Sequence, residues 1–233
     1  GWTFSDEDAW SLGINPYEHR KFLNRFYTGR FEGTFARGEA FQENPATGDC
    51  RVCGSMASLA GLEEALEKND SLLKKMAAAR IRMIYGLLFA LPGVPLLYAG
   101  DEEAMLNDYS YKNDPSKAAD SRWVHRIKKD WSKALLPEQK AVRQEIKAMI
   151  KARSKESLFA GSEIYFYEQQ QPETFAFCRS QKIHIAANFS ERHLRFKIWA
   201  KSSRLVDLLT GKEFDAKDPL VLEPYALLWL KEE

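Results

Sequence analysis

The sequence predicts an α/β region followed by an antiparallel all-β domain, residues 1–157 and 158–233. Three observations carry that prediction. A long segment of helical period, Ser71 to Ala90, runs through Pro92-Gly93 into an unbroken apolar stretch, Val94 to Ala99, that ends on Gly100-Asp101-Glu102. A helix feeding a fully apolar strand is one unit of a parallel sheet. Beyond the break near Ser154 to Ser162 the helical period gives way to short alternating segments punctuated by turn residues, the signature of antiparallel strands.

Taken in order, Asn15-Pro16 reads as N-cap and first helical residue, with Phe22, Leu23 and Phe26 on one face of the helix that follows. Tyr27 to Asp49 is rich in Gly, Phe and Arg without a period, which reads as a long loop or an inserted subdomain, and loops of that length in a compact protein are usually functional. Ser55 to Glu67 carries Met56, Leu59, Ala60 and Leu66 at helical spacing. Asp70 or Ser71 then caps a helix through about Ala90, whose apolar face is expected to contain Leu72, Leu73, Met76, Ile81, Ile84, Leu87 and Leu88. Leu106 to Trp131 is a polar, aromatic loop. Pro137 opens another helix, with Ala141, Val142, Ile146, Met149 and Ile150 expected to face inward. Strands are predicted at Ile164–Tyr167, Thr174–Arg179, Lys182–Asn188, Arg192–Trp199, Arg204–Leu208 and Ala226–Leu230.

Composition narrows the function classes. The 233 residues are 45% hydrophobic and 29% charged, which places the chain among ordinary globular proteins. A formal charge of +1 gives no electrostatic case for a nucleic acid or an anionic membrane surface. Ile81 to Ala99 is interrupted by Arg82, Gly86, Pro92, Gly93 and Pro95, so no membrane span is expected there. Cys50, Cys53 and Cys178 make no disulfide framework, and Cys50-x-x-Cys53 has no second pair to complete a zinc site. No metal or cofactor is called for.

Asp101 and Glu102 stand where α/β enzymes place reactive carboxylates, at the C-terminal end of a parallel strand. Adjacent residues at a strand end point opposite ways, so the two cannot flank one bond. They read as structural. Asp6, Glu7 and Asp8 read as a solvated first turn. Arg20, Arg51 and Arg122 lie in aromatic or Gly-containing contexts, where a planar fork of donors can hold a carboxylate or sugar hydroxyls.

Five segments together resemble the amylosucrases of glycoside hydrolase family 13, the α-amylase superfamily. They are Gly1 to Asp8 (GWTFSDED), Tyr17 to Phe26 (YEHRKFLNRF), Asn44 to Val52 (NPATGDCRV), Gly100-Asp101-Glu102 and Asp120 to Arg126 (DSRWVHR), and they occur in that family's order. The resemblance implies the C-terminal part of a (β/α)8 barrel, comprising a loop subdomain after strand seven and the last helix, strand and helix, followed by an antiparallel β-sandwich domain. It implies a retaining α-glucosyl hydrolase or transferase acting on sucrose or α-glucans, with an Asp nucleophile, a Glu acid/base and a His-Asp pair all upstream of Gly1. No catalytic residue is therefore assigned within the chain, and activity is expected only with the missing N-terminal barrel half. Arg122 matches the arginine at the floor of the sucrose pocket, and Arg20 and Arg51 match arginines bordering the pocket and its glucan acceptor groove, with Phe22 beside them. A buried arginine without its carboxylate costs several kcal/mol on an order-of-magnitude scale, so Arg122 is expected to be solvated or paired anew.

Alternatives from other classes are a carbohydrate-binding β-domain and a purely structural fragment, and within the family an α-amylase- or α-glucosidase-like oligosaccharide hydrolase or a trehalose-forming enzyme. Surface binding would need exposed aromatics such as Trp199 or Trp229, both of which alternation assigns to the core. A homodimer burying Val94 to Ala99 is expected as one way to cover a strand that would otherwise expose its edges.

Overall fold

The computed structural model describes residues 2–233, which form two compact units: residues 2–77 with 103–135, and residues 78–102 with 136–233.

The first unit is built from capped short helices and one hairpin. Helix α1 (Asp6–Ser11) is capped by Ser5, whose hydroxyl accepts from Asp8 N at 3.1 Å, and its acidic first turn, Asp6 to Asp8, faces the positive end of the helix dipole. Helix α2 (Pro16–Tyr27) starts as the sequence predicts: Asn15 Oδ1 accepts from Tyr17 N at 3.0 Å and Glu18 N at 3.2 Å, and Pro16 sits where no amide donor is needed. The stretch read as a long loop or an inserted subdomain contains strand β1 (Glu39–Phe41), which pairs antiparallel with β2 (Arg51–Cys53). Gly38 enters this hairpin with no room for a side chain, since a Cβ there would stand 2.4 Å from Tyr27 O and 2.9 Å from Leu59 Cδ2.

The predicted Ser55–Glu67 helix is two, α3 (Met56–Leu59) and α4 (Leu62–Glu67). Gly61 breaks it at φ 93, a left-handed conformation that glycine adopts without a Cβ penalty. Helix α5 (Ser71–Ala90) is capped as predicted, Asp70 Oδ1 accepting from Leu72 N at 2.8 Å and Leu73 N at 3.0 Å. Leu72 and Ile84, predicted on its apolar face, are exposed. The buried apolar residues of this helix are Ala77, Ile81, Met83, Tyr85, Phe89 and Ala90.

The second unit is layered. Helix α6 (Pro137–Lys155) buries Val142, Ile146 and Met149, whereas Ala141 and Ile150 face solvent. A six-stranded antiparallel sheet has the order β3-β4-β5-β10-β7-β8, formed by β3 (Ile164–Phe166), β4 (Thr174–Arg179), β5 (Ile183–Asn188), β7 (Arg204–Asp207), β8 (Glu213–Asp215) and β10 (Leu227–Glu232). A second, two-stranded sheet pairs β6 (Leu194–Phe196) with β9 (Leu220–Leu222).

One face of the large sheet presents Ala176, Ala186, Leu205 and Leu230 to Phe196, Ile198, Leu220 and Leu222, giving the sandwich core. The other presents Phe177, Ile185 and Trp229 toward the helices, with Trp229 packed on Phe159 at 5.1 Å between ring centroids. Strand β5 is covered on both faces and buried throughout. Gly86 of α5 marks how closely that helix lies on the sheet, since a Cβ there would fall 1.8 Å from Leu227 Cδ2.

Three expectations are corrected. Val94 to Ala99 is not a hydrogen-bonded strand, and Val94 is 89% and Leu96 83% exposed. Its composition is that of a buried strand, but among the described residues no strand lies beside it to pair with. The predicted strand Arg192–Trp199 shortens to Leu194–Phe196, and Trp199, expected in the core, is 61% exposed. The alternation that buries Leu194, Phe196 and Ile198 runs on beyond the strand, and Trp199 has the opposite, outward parity of Arg195 and Lys197. Strands β8 and β9, three residues each, were not predicted.

Candidate functional site

The four residues singled out in the sequence all lie in the first unit, in two clusters. Arg20, on α2, turns back to the N-terminal segment: Nε donates to Trp2 O at 3.4 Å, Nη2 to Phe4 O at 3.3 Å and to the Asp6 carboxylate, and the guanidinium lies 4.5 Å from the Phe4 ring centroid. Phe22 shares this aromatic group. Its ring stacks on His19 at 6.1 Å and meets Phe31 edge-on at 5.0 Å, and His19 in turn packs against Phe4 at 5.5 Å. Phe22 is 38% exposed, so part of its face is open.

The second cluster centres on Phe41. Arg51 is its cross-strand partner in the hairpin, and the Arg122 guanidinium lies 4.5 Å from its ring centroid. Arg122 is held bidentately by Asp120, Nε to Oδ1 and Nη2 to Oδ2, both at 2.8 Å. The Arg122 hydrogen bond holds the Asp120 carboxyl down to about 2. Asp120 also caps the 3-10 turn Ser121–His125 by accepting from Arg122 N at 3.0 Å. One carboxylate thus fixes both the backbone and the side chain of the same arginine, so Arg122 is paired anew within its own turn. Ser121 ties that turn to β1, its hydroxyl donating to Ala40 O at 2.7 Å.

Asn24 and Asp49 link the two clusters. Trp2 Nε1 donates to Asn24 Oδ1 at 2.7 Å, and Asn24 Nδ2 donates to Asp49 Oδ1 at 3.2 Å, two residues before Arg51. Between α2 and the loop lies a pocket of about 360 Å³ whose lining includes Lys21, Arg25, Arg30 and Glu43. Arg30 grips Glu43 through two contacts, 2.5 and 3.0 Å, which holds the Glu43 carboxyl below its ordinary range.

Sequence reasoning missed Asn107. Its Oδ1 accepts from Ser55 N at 2.8 Å, its Nδ2 donates to Arg37 O at 2.6 Å, and its amide N donates to Ser58 Oγ at 2.9 Å. It fastens the segment before the 3-10 turn Tyr109–Asn113 to the entry of α3. Nearby, the Tyr109 hydroxyl donates to the buried Glu63 carboxylate at 2.8 Å, and burial pushes that carboxyl above its ordinary value. A lone Asn or Glu in a helical or irregular segment carries no pattern by which its burial could be foreseen.

Asp101 and Glu102, in the second unit, behave as structural groups. Asp101 accepts from the Tyr85 hydroxyl, and Glu102 Oε2 accepts from Gly100 N at 2.7 Å, closing the turn after the apolar segment. Cys50 and Cys53 are buried, and burial raises both thiols, which makes them poor nucleophiles.

A Cys178, His184 and Glu232 grouping in the β-domain has the residue types of a nucleophilic triad but not its chemistry. Burial pushes the Cys178 thiol up to about 11. His184 Nδ1 faces the Tyr167 hydroxyl at 2.6 Å and Nε2 faces Glu232 Oε1 at 2.8 Å, so neither ring nitrogen is left to serve as base.

About two thirds of the chain shares its fold with solved enzyme structures at low sequence identity. No family model matches the sequence. The type III pullulan hydrolase from Thermococcus kodakarensis superposes with a TM-score of 0.51 at 19% identity, over 67% of this chain and 24% of that one. AmyP in complex with maltose gives a TM-score of 0.56 at 18% identity, over 66% and 35% of the two chains. A mutant of the trehalulose synthase MutB in complex with Tris gives 0.51 at 14%, over 66% and 38%. The likeness at these identities is one of fold. This chain corresponds to between 24% and 38% of the length of those three proteins.

Proposed function

We propose that the chain is the C-terminal part of a retaining α-glucosyl hydrolase or transferase acting on sucrose or α-glucans, with residues 1–157 contributing the end of a (β/α)8 barrel and its strand-seven loop, and residues 158–233 the β-domain. The observation that carries this reading is the segment Gly93 to Ala99. Pro95 and Leu97 line a groove of about 440 Å³ with Phe89, Ile150 and Phe159, while Val94, Leu96 and Tyr98 are exposed. That is a period of two, with one face on the helices of its own unit and the other exposed. A barrel strand has those two faces, one toward the surrounding helices and one into the packed interior.

In this reading the two carboxylates that retention requires, one as nucleophile and one as acid/base, come from the remainder of the barrel. Arg122, Arg51, Arg20 and Phe22 contribute substrate contacts. The carbohydrate-related names of the structural neighbours support the substrate class. The amylosucrase-like motifs favour sucrose.

The test is glucose and fructose release from sucrose, and glucose release from maltooligosaccharides, by the chain with and without a polypeptide supplying the remaining barrel strands. Activity on sucrose only when the two are combined is the expected result. Turnover by the chain alone, or none from a correctly assembled pair, would refute the proposal.

A further inference from the structure

Trp199 is 61% exposed although its neighbour Ile198 is only 1% exposed. An exposed indole on a mobile segment would be unremarkable, but this one is fixed from beneath and from behind. Its ring stacks on Tyr167, with centroids 5.7 Å apart and planes 23° apart. Tyr167 is locked by its hydroxyl on His184 Nδ1 at 2.6 Å and by edge packing on Phe196 at 5.7 Å.

His184 passes the chain of bonds to Glu232 Oε1 at 2.8 Å. The Glu232 carboxylate then accepts from Lys201 N and Ser202 N, each at 3.2 Å. The same carboxylate therefore holds the ring under Trp199 and the backbone just after it. With Tyr167 donating to Nδ1 and the imidazole donating from Nε2 to Glu232, every member of the relay is satisfied with His184 neutral. Burial, which lowers the His184 pKa, agrees with that state.

Beside the indole is a pocket of about 270 Å³, and the side chains at its rim include Tyr165, Gln181 and Lys201. Tyr165 is 51% exposed, and Lys201 Nζ reaches Gln181 Oε1 at 3.5 Å. A flat apolar face ringed by a phenol, an amide and one ammonium suits a ligand with a planar carbon face and a rim of neutral hydroxyls. A pyranose ring has that form. A single cation at the rim argues against a polyanion.

We propose that Trp199, stacked on Tyr167, is the platform of a carbohydrate-binding site on the second unit, and that it takes glucosyl units of an α-glucan chain. The site itself is argued from its geometry, and the choice of α-glucan rests on the function proposed above.

The experiment is native electrophoresis of the full chain through gels cast with glycogen, with hydroxyethylcellulose, or with no polysaccharide, supported by tryptophan fluorescence titration with maltoheptaose. Glycogen is expected to retard the chain and hydroxyethylcellulose to leave it unaffected. Trp199→Ala is expected to weaken glycogen binding by about tenfold or more, equivalent to ~1.4 kcal/mol. Trp199→Phe, which keeps a smaller aromatic face, is expected to fall between, and it decides the matter should the alanine variant not fold.

Mobility unaffected by glycogen, undiminished binding by folded Trp199→Ala, or equal retardation by hydroxyethylcellulose would overturn the proposal. Retardation needs neither turnover nor a second polypeptide, so this site and the proposed enzyme activity fail separately.

Discussion

Arg179 offers the most direct test of how the second unit is held together. It is fully buried, and its partners are backbone carbonyls: Nε donates to Glu163 O at 3.1 Å, Nη2 to Phe159 O at 3.2 Å and to Gly161 O, and Nη1 to Ala90 O. Ala90 is the last residue of α5, where unpaired carbonyls and the negative end of the helix dipole favour a cation. Arg153 adds a second one, donating to Leu91 O at 3.1 Å and Gly93 O at 2.8 Å. Burial, with Arg153 nearby, lowers the Arg179 pKa, yet a guanidinium, ordinarily protonated far above neutrality, stays charged at neutral pH.

Each charge-assisted hydrogen bond is worth about 1.5–3 kcal/mol net, and several kcal/mol of guanidinium desolvation offsets part of the total. Arg179→Met fills the stem but leaves the carbonyls without donors, so a loss of about 3–5 kcal/mol is expected. With a urea m-value of about 2 kcal/mol/M, that is a fall of about 2 M in the unfolding midpoint. Arg179→Lys keeps the charge but its three donors cannot reproduce the fork, so about half the loss should remain. Urea titration followed by tryptophan fluorescence and far-UV circular dichroism reads both variants. A midpoint for Arg179→Met within about 0.3 M of wild type would refute the reasoning, because it would mean that the carbonyls find other partners without cost.

Gly86→Ala should destabilise by about 1–2 kcal/mol, since overpacking against Leu227 outweighs the roughly 1 kcal/mol that alanine gains in a helix. Adding Leu227→Ala should make the Gly86 substitution favourable, and the urea midpoints of the double-mutant cycle check both signs. Asp120 should titrate at about 2, as read by carboxyl chemical shifts, and Arg122→Ala should return it toward about 3.9. Because its folded-state pKa is depressed, Asp120 stabilises the fold above its unfolded value, and that contribution is lost as the pH falls through the folded one.

Local chemistry was the legible part of this sequence. Asn15-Pro16, Asp70 and Pro137 announce helix starts because capping depends on a few adjacent residues. Strand Thr174–Arg179 was read to the residue because its alternation is uninterrupted and turns bound it. Pairing partners far along the chain were not legible. The hairpin β1–β2 joins two three-residue strands too short to show a period, and β8 and β9 fail for the same reason.

Trp199 was misassigned because lying in an alternating run does not by itself mean burial, and its parity, opposite to that of Leu194, Phe196 and Ile198, places it outward. In the candidate site, the sequence pointed to Arg122 and Arg51 through resemblance. It did not reveal that Asp120 pairs with Arg122 or that Phe41 lies between the arginines, since neither follows from a residue type.

The segment Gly93 to Ala99 also limits what can complete the fold. Both of its ends are secured. Arg153 holds Gly93 O, and Asp101 N donates to Tyr98 O at 3.0 Å. Its middle offers two edges of backbone donors and acceptors, with Val94, Leu96 and Tyr98 on the open face. Covering those three side chains would contribute about 5–9 kcal/mol, which only matches the roughly 4–15 kcal/mol cost of bringing two bodies together.

Side-chain burial alone therefore cannot hold a partner, and backbone pairing must supply the surplus. A second copy pairing through the same segment about a twofold axis satisfies one edge and leaves the other open. A parallel neighbour on each side, as in a closed barrel, satisfies both. Of the two occupants proposed for this face, the remaining barrel strands are thus favoured over a homodimer. Light scattering should accordingly give a mass independent of concentration for the assembled pair, and a concentration-dependent one for the chain alone.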